Sequence, residues 1–320
     1  MSLEVIDAQR VKTLLPMQEC IDVMAQAMAA VSNGDVTMPP RTFVPVDGQG
    51  RVFALMPAVA STLDGYGAKL LSLTPTNAAQ GLPIIRGEFL LFERQTGAPV
   101  AVMDAASLTA IRTAAASGLA TRLLARPDAR SCGIFGTGVQ AETHLEAMCG
   151  VRPVERIHVW GRNFDKAAAW AERQAELTGR RITASQDPAE VAACDLICTV
   201  TAAREPILQG AWVRPGTHVN LVGSHTLTTR EADSALIARS KVYVDLMESM
   251  RNEAGDVMIP IEEGAVRLDH IRGEIGRVVT GALAGRAGSE EITLYKSLGI
   301  AAQDLYAAWH VYRKTQARGG

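Results

Sequence analysis

The sequence lacks the long apolar run that a membrane-spanning helix requires. Such a span needs about 20 consecutive apolar residues, whereas the longest candidates, such as residues 197–203, are short and contain threonines. Charged residues occur within the first ten positions, and no apolar core followed by small residues comes after them, so the N-terminal segment does not resemble a signal peptide. We therefore expect a cytoplasmic protein that does not enter a membrane.

The sequence also lacks an excess of charge of either sign. It has 32 Lys and Arg residues against 34 Asp and Glu residues, which gives a net charge of −2 with both signs interspersed. Nucleic acids and anionic membranes attract proteins through broad basic surfaces, so we expect neither as a partner. The five cysteines are scattered, and no His or Cys pair near Cys194 and Cys198 completes a metal set. We expect buried, reduced thiols and no metal site.

What the sequence does contain is enough apolar material for two domains. Its 320 residues are 48% hydrophobic, and a domain commonly has about 150 residues. Residues 1–105 mix a predicted helix, Met17–Asn33, with short strand-like pieces, which indicates an α+β domain. From residue 132 onward strands and helices alternate, as in βαβ units with a parallel sheet. Residues 291–314 are predicted to be helical and to return to the first domain.

A glycine motif of the form G-x-G-x-x-A follows the predicted strand 132–135 and opens a helix. Its residues are Gly136, Thr137, Gly138, Val139, Gln140 and Ala141. Short glycine patterns also arise by chance in tight turns, but this strand-turn-helix context favours a dinucleotide site. The glycines allow a sharp turn and a close approach of the backbone to a pyrophosphate at the positive end of the helix. We therefore predict an α/β fold with a Rossmann-type doubly wound parallel sheet beside the α+β domain.

The end of the second predicted strand indicates which dinucleotide is bound. NAD normally meets a carboxylate there, which accepts hydrogen bonds from the ribose. Strand 157–160 is instead followed by Arg162 and Asn163, and Glu155 lies before the strand. A guanidinium suits a 2′-phosphate, so we expect NADP(H) to be preferred and NAD(H) also to be accepted. The alternative is that Arg162 is a solvated surface residue.

Three cations in the N-terminal part have apolar or small neighbours in the sequence: Arg41, Lys69 and Arg112. A buried cation requires an anion, which either a ligand or the protein itself can supply. Each of the three could therefore form a structural ion pair, or reach the surface along its apolar stem, instead of binding a ligand.

Several segments together resemble the ornithine cyclodeaminase/μ-crystallin family. They are residues 81–83, 90–92, 96–99, 103–104, 108–110, 112–117, 136–141, 205–208, 215–220 and 295–301. The resemblance covers nearly the whole chain. It implies a substrate-binding and dimerisation domain made of residues 1–118 with 296–320, a Rossmann domain made of residues 119–295, and a homodimer.

The resemblance also implies roles for individual residues. Arg41, Lys69 and Arg112 match the positions that hold the carboxylate of an amino or imino acid, and Lys69 is also implied in proton transfer. Two further segments match positions at the nicotinamide end of the cofactor: Val222, Gly223 and Ser224, and Lys296, Ser297 and Leu298.

Two departures from the family pattern bear on the reaction. Ornithine cyclodeaminases have acidic residues at two positions where this sequence has Met56 and His225. A methionine cannot pair with the side-chain ammonium of ornithine. His225 could still act as an acid or base near neutral pH, or it could be a structural histidine.

These departures favour an NAD(P)H-dependent reductase of small cyclic imino acids. Its substrate would be Δ1-pyrroline-2-carboxylate or Δ1-piperideine-2-carboxylate, and hydride transfer to the imine carbon would give L-proline or L-pipecolate. Three other functions stay open: an ornithine cyclodeaminase, a dehydrogenase of alanine or another open-chain amino acid, and a non-catalytic NADP(H)-binding protein similar to μ-crystallin.

Overall fold

The computed structural model describes residues 3–318, apart from the side chains of Ala78 and Arg318. The chain divides into two compact units, one comprising the residues up to Arg112 and from Gly299 onward, the other Thr113–Leu298. The predicted domains, 1–118 with 296–320 and 119–295, have boundaries a few residues from these divisions. Residues 1, 2, 319 and 320 of the predicted first domain lie outside the described residues.

The first unit is built on a mostly antiparallel sheet with helices packed on it. Its strands are β1 (Glu4–Ile6), β2 (Val36–Thr37), β3 (Thr42–Pro45), β4 (Val52–Ala60), β5 (Gly65–Leu73), β6 (Ile85–Glu93) and β7 (Pro99–Asp104). Its helices are α1 (Ala8–Leu14), α2 (Met17–Asn33), the first part of α3 (Ala105–Leu124), and α11 (Ala301–Arg318). The strand order is β1-β7-β6-β5-β4-β2, and β3 pairs with β4. The predicted α+β character of this region is confirmed.

Helix α11 covers one side of this sheet, and α2 packs against α11. Helix α2 has the predicted bounds, since Pro16 precedes it and Gly34 ends it in the left-handed conformation at φ 81°. Helix α11 packs against α2 and against strands β4, β5 and β6. A Cβ atom at Gly65 would lie 2.5 Å from the Trp309 ring, so the β5 glycine lets α11 approach the sheet closely. The residues of β5 on the same face as Gly65 therefore face α11.

The second unit has an entirely parallel sheet in the order β10-β9-β8-β11-β12-β15-β13-β14. Its strands are β8 (Ser131–Phe135), β9 (Arg156–Trp160), β10 (Ile182–Ala184), β11 (Leu196–Thr199), β12 (His218–Leu221), β13 (Ser240–Val244), β14 (Ile271–Glu274) and β15 (Ile292–Lys296). The helices wholly within it are α4 (Val139–Val151), α5 (Phe164–Thr178), α6 (Pro188–Ala192), α7 (Ser234–Arg239), α8 (Met247–Glu253), α9 (Gly255–Glu262) and α10 (Ile275–Val279). The predicted α/β class with a parallel sheet is confirmed.

The last helix was predicted to start at residue 291, and this start is wrong. Residues Ile292–Lys296 form strand β15 between β12 and β13, and all five are buried. A central parallel strand is covered on both faces, so its sequence shows no alternation and is easily mistaken for a buried helix. The helix begins only at Ala301, two residues after Gly299, whose φ is 76°.

Within residues 3–318, no helix combines the length and the apolar character needed to cross a bilayer. The five cysteines are free thiols, four of them buried as expected, whereas Cys149 is only half-buried.

Candidate functional site

Lys69 lies in the middle of β5 in a row of apolar side chains that crosses the sheet of the first unit. The register places Met56 of β4 and Phe89 of β6 directly opposite it, and Met103 of β7 beyond Phe89. Residues opposite one another in a sheet share a face, and only 1% of the Lys69 surface is exposed. Burial lowers the pKa of Lys69 to about 8, with Asp304 opposing the shift and the charges of Arg112 and Arg41 adding to it.

Asp304, in the first turn of α11, neutralises part of this buried charge. Its carboxylate lies 2.8 Å from Lys69 Nζ and 2.9 Å from Arg112 Nε, so each of its oxygens meets one cation. Burial opposes ionisation of this group, but the charges of Arg112 and Lys69 outweigh burial and hold the pKa of Asp304 below its ordinary value. The neighbouring Gln303 accepts a hydrogen bond from Arg112 Nη1 at 2.6 Å.

Arg41 reaches the same group of residues through the backbone of Gly299. Its Nη2 donates to Gly299 O at 2.9 Å, and a Cβ atom at Gly299 would lie 2.4 Å from Arg112 Nη1. Arg41, Lys69 and Arg112 therefore lie close together, and we call these three residues with Asp304 the cation cluster. Because Lys69 and Arg112 share one carboxylate, these two cations keep positive charge in excess, and the cluster suits an anionic ligand.

The sequence pattern indicated the three cations but not Asp304 and Gln303. Both side chains are fully buried, in the stretch Ala301-Ala302-Gln303-Asp304-Leu305, whose other members are apolar. The signal for the cations was a charged residue among apolar neighbours. The same rule, applied to the acidic residues, would have indicated Asp304.

In the second unit, the predicted glycine motif joins strand β8 to helix α4. Gly136 has φ 125°, and a Cβ atom there would lie 2.9 Å from Val200 O, so both conformation and space require glycine. Gly138 is the N-cap of α4 and provides no side-chain cap, and a Cβ atom there would meet nothing within 4 Å. Ala141 is fully buried. The uncapped N–H groups and the open space at Gly138 fit a pyrophosphate at the positive end of α4.

Arg162 and Asn163 lie just beyond the end of β9, next to this motif in the sheet. The Arg162 side chain is exposed, whereas Asn163 is the N-cap of α5 and accepts a hydrogen bond from Lys166 N at 2.9 Å. Glu155 lies before β9 and pairs with Arg130, so it occupies the opposite end of the strand, as expected. No carboxylate lies in residues 161–164, where NAD-binding Rossmann folds place one.

A buried carboxylate holds the turn that follows β12. Glu231 accepts hydrogen bonds from Gly223 N at 2.7 Å, Thr201 N at 2.8 Å and Thr199 Oγ1 at 2.7 Å. A Cβ atom at Gly223 would lie 2.1 Å from Thr201 O, so only glycine fits there. The next residue but one, His225, has an exposed side chain with Nδ1 3.2 Å from Gly223 O.

The predicted segment of Lys296, Ser297 and Leu298 lies against this same turn. The ammonium of Lys296 is fully buried and donates to Ser224 O at 2.5 Å and to Asp256 Oδ2 at 2.9 Å. The backbone N–H of Leu298 donates to Asp245 at 2.7 Å. The structure therefore brings the two predicted nicotinamide-end segments together, and the Lys296 charge is used to support the turn around Val222 and Ser224. Among the described residues, no group of three or more His, Cys, Asp or Glu side chains could hold a metal ion.

Comparisons with known proteins agree with this arrangement. A family model described as the ornithine cyclodeaminase/mu-crystallin family matches residues 2–319. The Delta(1)-pyrroline-2-carboxylate reductase of Bacillus cereus is 36% identical over 317 residues, which cover 98% of this chain and 97% of that protein.

Two solved structures are similar over almost the full length. The Delta(1)-pyrroline-2-carboxylate reductase of Thermococcus litoralis, in complex with NADH and L-proline, is 37% identical with a TM-score of 0.94, covering 99% of this chain and 98% of that one. An archaeal alanine dehydrogenase dimer with bound NAD is 29% identical with a TM-score of 0.92, covering 100% and 98%. The resemblance predicted from the sequence is confirmed, and the chain belongs to the ornithine cyclodeaminase/mu-crystallin family.

Proposed function

We propose that this protein is an NAD(P)H-dependent reductase of small cyclic imino acids, converting Δ1-pyrroline-2-carboxylate or its six-membered homologue to L-proline or L-pipecolate. The observation that carries the proposal is the cation cluster, whose excess positive charge lies among apolar side chains of the first unit. A small cyclic imino acid has one carboxylate and an apolar ring, so it matches both properties. The similarity to two Delta(1)-pyrroline-2-carboxylate reductases supports the same conclusion.

The residues of the chain take distinct parts in this reaction. Arg41 and Arg112 hold the substrate carboxylate through fixed guanidinium donors, which orients the imine carbon. Lys69, with a pKa of about 8, is mostly protonated at neutral pH and delivers a proton to the imine nitrogen. The glycine motif binds the cofactor, which supplies the hydride to the imine carbon when bound. The C=N bond thereby becomes CH–NH, and His225 is a second group for exchange of the proton with solvent.

Met56 argues against the ornithine cyclodeaminase reaction. It lies directly opposite Lys69 in the sheet and is buried. The side-chain ammonium of ornithine would meet a thioether there and a like charge on Lys69, and a thioether cannot neutralise it. A cyclic imino acid has no such ammonium.

One pair of assays tests the proposed function. We expect the purified protein to oxidise NADH or NADPH when Δ1-pyrroline-2-carboxylate or Δ1-piperideine-2-carboxylate is added, as measured by loss of nicotinamide absorbance. We expect no ammonia when ornithine and NAD+ are supplied instead. Ammonia release from ornithine, without reduction of either imino acid, would show that the protein is a cyclodeaminase.

We further propose that NADP(H) is preferred over NAD(H), because Arg162 stands where a carboxylate would select NAD. The change Arg162→Ser is expected to raise the KM for NADPH about tenfold or more and to leave the KM for NADH nearly unchanged, since only NADPH has a 2′-phosphate. The control is Arg156→Ser, an exposed arginine at the start of the same strand. A wild-type preference of tenfold or more for NADH would contradict the assignment.

We also propose that the protein is a homodimer that associates through the first unit. Strand β3, the residue after it, strand β4 and the start of β6 expose large apolar side chains, among them Phe43, Val44, Val46, Phe53 and Ile85. Clustered exposed apolar residues mark interaction surfaces, and a solved relative is a dimer. Sedimentation should give twice the 34.1 kDa mass of one chain; a single-chain mass at micromolar concentration would contradict the proposal.

A further inference from the structure

Two side chains accept the hydrogen bonds described for Arg112, and one of them, Gln303, is uncharged. Its side chain is fully buried in the first turn of α11. Its Oε1 accepts from Arg112 Nη1 at 2.6 Å, while Asp304 accepts from Arg112 Nε at 2.9 Å. The guanidinium is therefore held on one side by a carboxylate and on the other by a neutral amide.

The amide nitrogen of Gln303 is left without an acceptor. Its Nε2 is buried and has no hydrogen-bond partner among the residues that the structure describes. A buried donor without a partner costs about 1–3 kcal/mol, and native proteins contain few of them. An acceptor oxygen from a ligand would satisfy this donor.

A glutamate at this position would balance the charges of Lys69 and Arg112 in the folded protein, at the cost of burying a second carboxylate beside Asp304. It has nearly the same shape as glutamine, it would add a second negative charge beside Arg112, and it would leave no amide nitrogen unpaired. Besides Lys69 and Asp304, the thiol of Cys20 also lies near Arg112, and burial raises the pKa of this thiol, which keeps it neutral. With glutamine at position 303, Lys69 and Arg112 share the single carboxylate of Asp304.

We propose that Gln303 is a specificity-determining residue that reserves the cation cluster for an anionic ligand. Because the amide orients Arg112 without neutralising it, the excess positive charge of Lys69 and Arg112 is kept for the ligand, and the amide N–H groups add donors for a ligand oxygen. The ligand class is a monocarboxylate of a size that fits among the apolar neighbours of Lys69. This inference rests on the proposed function, in which the same cluster binds the carboxylate of an imino acid.

The test is the substitution Gln303→Glu, examined by binding as well as by turnover. Binding of L-proline and of cyclopentanecarboxylate, which cannot be oxidised or reduced at a C–N bond, is measured by calorimetry on the NAD(P)-loaded protein. We expect both carboxylates to bind about tenfold more weakly or worse, because the new charge competes for Arg112. We expect the Tm of the ligand-free variant to equal or exceed that of the wild type, and its affinity for NADPH to be unchanged.

Measuring the Tm together with carboxylate binding separates the proposed role of Gln303 in ligand binding from a role in stabilising the fold. A residue that merely supports the fold would lower the Tm together with ligand binding. The control Gln26→Glu makes the same chemical change at an exposed position of α2 and should alter neither quantity.

Two results would overturn the proposal: unchanged carboxylate affinity in Gln303→Glu, or a loss of affinity accompanied by a lower Tm. Turnover of the wild-type enzyme shows whether the proposed function fails or only the proposed role of Gln303. If the wild type binds cyclopentanecarboxylate but reduces no imino acid, and Gln303→Glu loses that binding, the proposed reaction fails and the role of Gln303 stands. If the wild type is an active reductase and the variant binds carboxylates equally well, the role of Gln303 fails alone.

Discussion

Lys69→Met is expected to lower kcat/KM for the imino acid by about a thousandfold or more. General acid catalysis by a positioned side chain contributes about 10²- to 10⁴-fold, and the substitution also removes one of the three cations that we propose bind the carboxylate. The affinity for NADPH should not change, because the glycine motif that we propose binds the cofactor belongs to the other unit. Steady-state kinetics measure the first quantity, and fluorescence titration of the nicotinamide measures the second.

The pH dependence of the wild type and of a second variant tests whether the activity depends on the proton that Lys69 carries. The pKa of Lys69 is lowered to about 8, so the acid is present below this pH, and kcat/KM should fall as the pH rises through about 8. In Lys69→Arg the charge stays, but a guanidinium does not lose its proton in this range. That variant should bind L-proline, show a much lower kcat, and lack this fall. An unchanged fall near pH 8 in Lys69→Arg would assign it to another group.

A matched control for these variants is Lys12→Met. Lys12 is an exposed lysine of α1, and its loss should leave both kcat/KM and the pH profile as in the wild type. Equal losses in Lys12→Met and Lys69→Met would point to a general effect of net charge.

Asp304→Ala is expected to lower the free energy of unfolding by about 3–5 kcal/mol. Removal of one partner of a buried ion pair leaves an uncompensated charge in the interior, which costs this much, and here Lys69 and Arg112 both lose the carboxylate that they share. Urea denaturation monitored by tryptophan fluorescence measures the change. A loss below about 1 kcal/mol would mean that water reaches the cluster and screens its charges.

The double variant Asp304→Asn with Lys69→Met tests whether the loss of stability on changing Asp304 comes from unpaired charge or from a packing defect. If the single loss comes from unpaired charge, removal of one of the two stranded cations should restore part of the stability, so that the two changes are not additive. Asp304→Asn alone should also move the alkaline fall of kcat/KM to lower pH, because Asp304 opposes the lowering of the Lys69 pKa. A fall that moves to higher pH would contradict this account of the cluster.

The parts of the site that the sequence predicted were those with local signals. The motif around Gly136 is contiguous and stands between a strand and a helix, and Lys69 is a charge among apolar residues. The partner of Lys69 was not predicted, because Lys69 and Asp304 are far apart in the chain and only the packing of α11 on β5 brings them together. The strand Ile292–Lys296 was misassigned for a related reason: its burial on both faces depends on β12 and β13, which the local pattern does not contain.

The register of the first sheet gives a physical reason for the importance of Met56. The sequence resemblance identified the position without showing what lies beside it. Met56 pairs with Lys69 across β4 and β5, so a side chain at position 56 lies next to the lysine that we propose binds the substrate. By contrast, the function of His225 could not be derived from the sequence, and the structure adds an exposed side chain on a turn whose preceding residues are held by Glu231 and Lys296.

The first unit is made of two separate stretches of the chain, and this affects how the nascent chain folds. The ribosome synthesises residues 113–298 before it reaches α11, so the second unit can fold while the first is still missing its final helix. During that interval Lys69 and Arg112 have no Asp304 to pair with, and their burial is unfavourable. Proteins emerge at about 5–20 residues per second, so the delay lasts several seconds or more. The first unit is therefore completed last, and a chain that ends before residue 304 lacks the carboxylate that pairs with Lys69 and Arg112.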